Sequence, residues 1–216
     1  MFKTFILCCL FPVILGVSFT GQYHEANEIS DTVIEDQALT PVSVILSYIM
    51  CTIVLVLNKH KEIAQKADYV AETYQVVTED RYVLQLDRIA GSVKSPPSGN
   101  KPAVLLLHGL LDCSSTWLLP GPEKSLGFIL ADWGYDVWLG NVRGNRYSRK
   151  HLDFTPSDQK FWMFSWHEIG TYDIPAMIDH ITEKTEQKKI FMISHSQGST
   201  AFFVMASERP EYQEKI

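Results

Sequence analysis

Ile190-Phe191-Met192-Ile193-Ser194-His195-Ser196-Gln197-Gly198-Ser199-Thr200 is the stretch on which the reading of this chain turns. The apolar run 190–193 predicts a buried strand. The residues after it are small or turn-forming, and a helical pattern begins at Gly198. A tight strand-to-helix turn of this kind pushes a serine Oγ out above the sheet. Ser196 is the residue so placed, and the backbone N–H of Gln197 is a candidate oxyanion donor beside it. Two places before such a serine the usual residue is glycine, because backbone and helix crowd one another there. Ser194 occupies that place, and its extra Cβ and hydroxyl predict strain.

A serine nucleophile needs a base, and the base needs an orienting carboxylate. Where this turn is used, the order along the chain is Ser, then Asp or Glu, then His. After Ser196 only Glu208, Glu211 and Glu214 are acidic, and no histidine follows. The expectation is a chain that carries neither a triad acid nor a triad base.

A second segment supports the same layout. Ala103-Val104-Leu105-Leu106-Leu107 is a continuous apolar run too short for most helices, and His108-Gly109-Leu110-Leu111 follows it directly. The other oxyanion donor comes from the loop after such a strand. Gly109 lets the backbone approach a substrate, and the N–H of Leu110 is the candidate donor. His108 precedes Ser196 and belongs to this loop, so its side chain is read as a core histidine with a satisfied hydrogen bond.

Together these blocks resemble the acid lipase family of α/β-hydrolases, which includes gastric and lysosomal lipases and insect relatives. The residues that carry the resemblance start with Ala71-Glu72-Thr73-Tyr74, Val77-Thr78-Glu79-Asp80, Tyr82-Val83-Leu84 and Asp87-Arg88-Ile89. They continue with His108-Gly109-Leu110-Leu111-Asp112, Trp117 and Gly121–Leu126, then Gly134–Asn141, Arg143-Gly144-Asn145 and Tyr147–His151. Phe161-Trp162, Phe164-Ser165-Trp166, Tyr172–Ala176 and His195-Ser196-Gln197-Gly198 complete the set. Departures are Asp68 and Arg81, where the family tends to have glycine, and Ser194. The resemblance runs from about residue 62 to Ile216. It implies an α/β fold: an α/β-hydrolase with a mostly parallel sheet and an N-terminal antiparallel hairpin, incomplete, with the C-terminal strands and cap missing. It also implies hydrolysis of lipid esters such as triacylglycerols or sterol esters, with Ser196 as nucleophile and Leu110 and Gln197 as oxyanion donors. The implied partner is a lipid ester substrate, with a membrane or lipid-droplet surface beside it; no cofactor and no metal are expected.

Composition agrees. The 216 residues are 46% hydrophobic and 20% charged, enough for one sizeable core. Net charge is −6 and long basic runs are absent, which gives nucleic-acid binding no support. His167-Glu168 lacks the second histidine of a zinc site. Of Cys8, Cys9, Cys51 and Cys113, only Cys113 lies in the hydrolase-like region, which therefore cannot form an internal disulfide.

The N-terminus reads as three pieces. Residues 1–20, with Lys3 before the apolar stretch 5–15 and Gly16 and Ser18 after it, form a secretory signal peptide. Residues 21–41 are an acidic linker. Residues 42–57 form an uncharged segment that as a helix would cover about 24 Å, short of the ~30 Å hydrocarbon core. It reads as a membrane anchor, as a buried or interfacial helix, or as the remains of a second signal-like exon. A secreted or lumenal, lysosome-like location follows from the signal peptide; membrane anchoring through 42–57 is the alternative, and the basic flank Lys59/Lys61 would then lie inside.

Along 62–216, Tyr74–Thr78 and Tyr82–Leu86 predict a hairpin around Glu79-Asp80-Arg81, in which positive φ at Arg81 would cost roughly 1 kcal/mol. Leu126, Ile129 and Leu130 predict a helix that Gly134 stops, and Tyr135–Leu139 predicts the next strand. Ile174, Met177, Ile178 and Ile181 place a helix over 173–185, with Pro175 in its first turn. Ala201, Val204 and Met205 share one face of the helix after the elbow. The aromatics Phe161, Trp162, Phe164 and Trp166 are expected in the core, and Arg143, Arg146, Arg149 and Lys150 on a solvated loop. If the sheet stops at 190–194, that strand is an apolar, aggregation-prone edge. Two functional readings stand: a serine hydrolase of lipid esters, and a truncated, non-catalytic lipase-like protein.

Overall fold

The computed structural model describes residues 60–216, so the signal peptide, the linker and the 42–57 segment lie outside the described residues. The described elements are helix α1 (His60–Lys66), strands β1 (Val70–Val77), β2 (Val83–Gly91) and β3 (Ala103–Leu107), and helix α2 (Leu126–Asp132). Strand β4 (Asp136–Gly140), helix α3 (Ile174–Thr185), strand β5 (Phe191–Ser194) and helix α4 (Gln197–Glu208) follow. Together the strands make one sheet in the order β1-β2-β4-β3-β5. β3 pairs in parallel with both β4 and β5, while β2 is antiparallel to β1 and to β4. Only β2 runs against the others.

Strand periodicity sorts the core into two layers. Leu105 and Leu107 of β3 join Leu84, Leu86 and Trp138 against Ile174, Met177, Ile178 and Ile181 of α3 and Ala201 and Met205 of α4. Val104 and Leu106 point the other way, with Ile89, Val137 and Leu139, onto Phe128 and Ala131 of α2. Every residue of β3 is buried, as expected of a parallel strand covered on both faces. β5 has a neighbour on one side only, and Phe191 and Ile193 on it are exposed.

Several elements differ from the sequence reading. β1 and β2 run longer than 74–78 and 82–86 because the charges in their extensions are paired. Arg88 bridges Glu72 and Asp136 at 2.9 and 2.7 Å, and buried Asp87 accepts from Ser114 Oγ and Asn141 Nδ2. The hairpin loop holds three residues, closed by Arg81 N–H to Thr78 O at 2.9 Å, with Arg81 left-handed at φ 75°. A turn followed by one left-handed residue is the usual three-residue solution. Asp68 is left-handed too, at φ 62°. Both places where the resembling family favours glycine therefore hold the backbone that glycine tolerates best. In α2 the buried face is Gly127, Phe128, Leu130 and Ala131, with Leu126 and Ile129 half-buried. α3 does not start freely at Pro175. A short turn Trp166–Glu168, capped by Ser165, and a π-helical turn Ile169–Asp173 run straight into it. Thr171 O, which an N–H at position 175 would have served, accepts from Arg209 Nη1 at 3.0 Å instead.

Two side-chain expectations are corrected. Of the aromatic cluster only Phe161 is fully buried, while Trp162 and Trp166 are 44% and 54% exposed. Arg143 is not on a solvated loop. It is buried between Asp173, also buried, and Asp80, contacts Asp173 at 2.7 Å, and lies over the Tyr82 ring. An enclosed guanidinium needs such partners, and two carboxylates supply them. Arg146, Arg149 and Lys150 are exposed as expected.

Candidate active site

The chain passes from β3 through α2 to β4 on one side of β3, and returns to β5 on its other side. That reversal opens a crevice at the carboxyl ends of β3 and β5, where ligands bind in open α/β sheets. The ladder between the two strands ends at Leu107 opposite Ser194, and His195 N–H still donates to Leu107 O at 3.0 Å. One residue later the backbone breaks sharply. Ser196 sits at φ 52°, ψ −117°, outside the conformations that L-residues favour, and α4 starts at Gln197. Strain at this one residue is what turns the Ser196 side chain out of the sheet. Ser196 is exposed and makes no capping hydrogen bond to its own helix. The N–H of Gln197 opens α4, where no residue of the helix can accept from it, and it lies at the positive end of the helix dipole.

Ser194, where the family pattern has glycine, has its added hydroxyl partnered. Its hydroxyl lies 3.0 Å from Ser199 Oγ, and Ser199 Oγ donates to Ser194 O at the same distance. A paired hydroxyl replaces the hydrogen that glycine would have.

Two glycines seat the opposing loop. A Cβ on Gly198 would lie 2.7 Å from His108 O and 3.0 Å from Leu107 O, so α4 starts directly on the end of β3. A Cβ on Gly109 would lie 3.1 Å from Ser196 Cβ and 3.0 Å from His195 Nδ1. The Gly109 backbone thus faces the Ser196 side chain, and Leu110, the next residue, is 63% exposed. The structure therefore brings Ser196, Gln197, Gly109 and Leu110 to one end of the sheet.

His108 is buried, and both ring nitrogens are engaged. Nδ1 lies 2.8 Å from Gly109 O, and Nε2 faces Val142 N–H at 3.4 Å and Asn145 Nδ2 at 3.0 Å. Burial lowers its pKa, with the nearby His195 acting in the same direction and the bond to Gly109 O against it. Asn145 is held in turn: its Oδ1 accepts from the N–H groups of Tyr147 and Ser148, and its Nδ2 donates to Asn141 Oδ1. Asn141 Oδ1 also accepts from Ser114 N–H, and Asn141 Nδ2 donates to Asp87. This buried polar chain was missed at the level of sequence. Its signal was present as Asp87, a carboxylate in the middle of β2, and Asn141, directly after the apolar strand β4.

Residues 102–215 match the family described as "alpha/beta hydrolase fold", and residues 60–121 match the "Partial alpha/beta-hydrolase lipase region". The chain belongs to the α/β-hydrolase fold family. Similar within it are "Lipase 1" of Drosophila melanogaster, 50% identical over 70% of this chain and 33% of that protein, and human "Gastric triacylglycerol lipase", 47% identical over 68% of this chain and 37% of that protein. The chain spans about a third of the length of these relatives. A solved esterase of Pyrococcus furiosus is similar at a TM-score of 0.47 and 17% identity, covering 69% of this chain and 51% of that one. The resemblance to acid lipases read from the sequence agrees with these relatives. Among the described residues of this α/β-hydrolase, no helix is long and apolar enough to cross a membrane.

Proposed function

We propose that this chain carries the nucleophile and the oxyanion donors of a serine hydrolase of lipid esters, acting on triacylglycerols or sterol esters through an acyl-enzyme. The observation that carries the reading is the left-handed break at Ser196, set against the Gly109 backbone. Ser196 Oγ attacks the ester carbonyl, and the N–H groups of Leu110 and Gln197 receive the charge that develops on its oxygen. Lipid esters are the substrate class because the relatives are named as lipases, one of them a triacylglycerol lipase. The exposed side chains of Leu110 and Leu111 beside the site suit an apolar acyl chain. A secreted or lumenal location fits the signal-like N-terminus.

Among the described residues, His108 is committed to Gly109, Val142 and Asn145, and His151 to Asp80 O, Asp153 N–H and Phe154 N–H. Neither is free to act as the base. Hydrolysis of p-nitrophenyl butyrate by the chain tests the reading. Without a base, oxyanion donors alone leave a residual enhancement on the order of 10³–10⁴ over water. Robust turnover abolished by Ser196→Ala would put the base inside this chain, with His195 the first candidate. No enhancement over buffer would remove the oxyanion donors, and the hydrolase reading with them.

A further inference from the structure

We propose that His108 and Asn145 are positioning residues that set the direction of the Leu110 N–H. The inference rests on the reading of Leu110 as oxyanion donor, and it follows from the pattern of donors and acceptors around one imidazole. A backbone N–H can only donate, so Val142 N–H requires a lone pair on His108 Nε2. Asn145 enforces the same state. Its Oδ1 is occupied by two backbone N–H groups, which turns its Nδ2, a donor, toward Nε2. The single proton of the neutral ring therefore sits on Nδ1 and is donated to Gly109 O at 2.8 Å.

That bond fixes a peptide plane. No peptide bond among the described residues is cis, so the C=O of Gly109 and the N–H of Leu110 point in opposite directions from one plane. With the oxygen drawn onto the buried imidazole, the N–H leaves on the other side, away from the core. Gly109 has no Cβ to hold the plane by packing, and the room for one is taken by Ser196 and His195. The hydrogen bond from His108 takes over that task, and Asn145 is anchored through Asn141 to the buried Asp87 of β2. A flip of this plane would exchange the donor for a carbonyl oxygen and repel an oxyanion.

Nitrogen-15 correlation spectra of the full chain, labelled at histidine and leucine, test this. The wild type is expected to show His108 with a protonated Nδ1 and a bare Nε2 at neutral pH. Asn145→Asp, which places an acceptor opposite Nε2, is expected to move the proton to Nε2 or to charge the ring, and to shift the Leu110 amide resonance. Phenylboronic acid, whose boron adds the serine oxygen while the hydroxyl proton leaves to water, is expected to shift the Leu110 amide in wild type and less in Asn145→Asp. Ser196→Ala is expected to abolish the boronate response while leaving the His108 tautomer intact. A wild-type His108 protonated at Nε2, or an Asn145→Asp chain with unchanged His108 and Leu110 signals, would overturn the inference. A boronate response that survives Ser196→Ala would overturn the nucleophile instead and leave the tautomer result to decide this one.

Discussion

Replacing Gly198 with alanine is expected to lift α4 off the end of β3. The new Cβ would stand 2.7 Å from His108 O, which is 0.7 Å inside the 3.4 Å where ordinary contact begins, and 3.0 Å from Leu107 O. Both obstacles are backbone atoms of one strand end, and neither can rotate away as a side chain would. Overpacking of this kind costs about 1–3 kcal/mol. Against it stands the better helix propensity of alanine, at most about 1 kcal/mol and less in the first turn. The net loss expected is about 1–2 kcal/mol, read by calorimetry of the full chain as a fall in Tm of roughly 2–8 °C. Gly99→Ala is the control: nothing lies within 4 Å of its Cβ position, and its effect is expected within ~0.5 kcal/mol of zero. A Gly198→Ala chain as stable as wild type, or stabilised by the propensity gain, would refute the seating of α4 on β3 that places Ser196.

Two further outcomes follow from groups outside the crevice. Burial pushes the Asp173 carboxyl up to about 6 from its ordinary 3.8, with Arg143 only partly offsetting it; between those values the folded chain holds a proton that the unfolded chain has released. Its own titration therefore takes stability away as pH rises through about 6. Both carboxylate oxygens accept from Arg143, however, so Asp173→Asn sets an amide N–H against an Arg143 N–H and should be less stable than wild type by about 3–5 kcal/mol near pH 7. Urea titrations near pH 7 check this, and a variant at least as stable as wild type there would mean that burial of the carboxylate outweighs its pairing with Arg143. Arg81→Gly should stabilise by up to ~1 kcal/mol, because relief of the left-handed backbone at φ 75° exceeds the loss of an exposed pair with Asp153; a loss of more than ~1 kcal/mol in the same titration would reverse that ranking.

The parts of this fold legible in sequence were those written in local patterns. The run 103–107 is a strand because five consecutive apolar residues can be buried at once only in a covered sheet, whereas 190–193, which also reads as a buried strand, forms the edge strand β5 with Phe191 and Ile193 exposed. The spacing of Ile174, Met177, Ile178 and Ile181 gave the buried face of α3. The elbow was legible because its residue types follow backbone geometry. What stayed hidden depended on partners far along the chain. Arg143 reads as a loop cation until Asp80 and Asp173 close on it from 63 and 30 residues away. Asn145 stands in sequence only within the block 143–145, and its partner His108 lies 37 residues away. The split of the aromatic cluster was hidden for the same reason: Phe161 turns inward against Tyr82, whose hydroxyl donates to Phe161 O, while Trp162 faces out.

The central claim is that the turn at 194–198 makes Ser196 the reactive hydroxyl, with oxyanion donors already aimed at its reaction centre. Labelling by diethyl p-nitrophenyl phosphate at alkaline pH tests it most directly, because hydroxide then takes the place of a side-chain base. Peptide mass mapping after a time course should place the diethylphosphoryl group on Ser196 ahead of every other hydroxyl, with the preference lost in Gly198→Ala. A label spread evenly over surface tyrosines and serines, with Ser196 unmodified, would contradict the account.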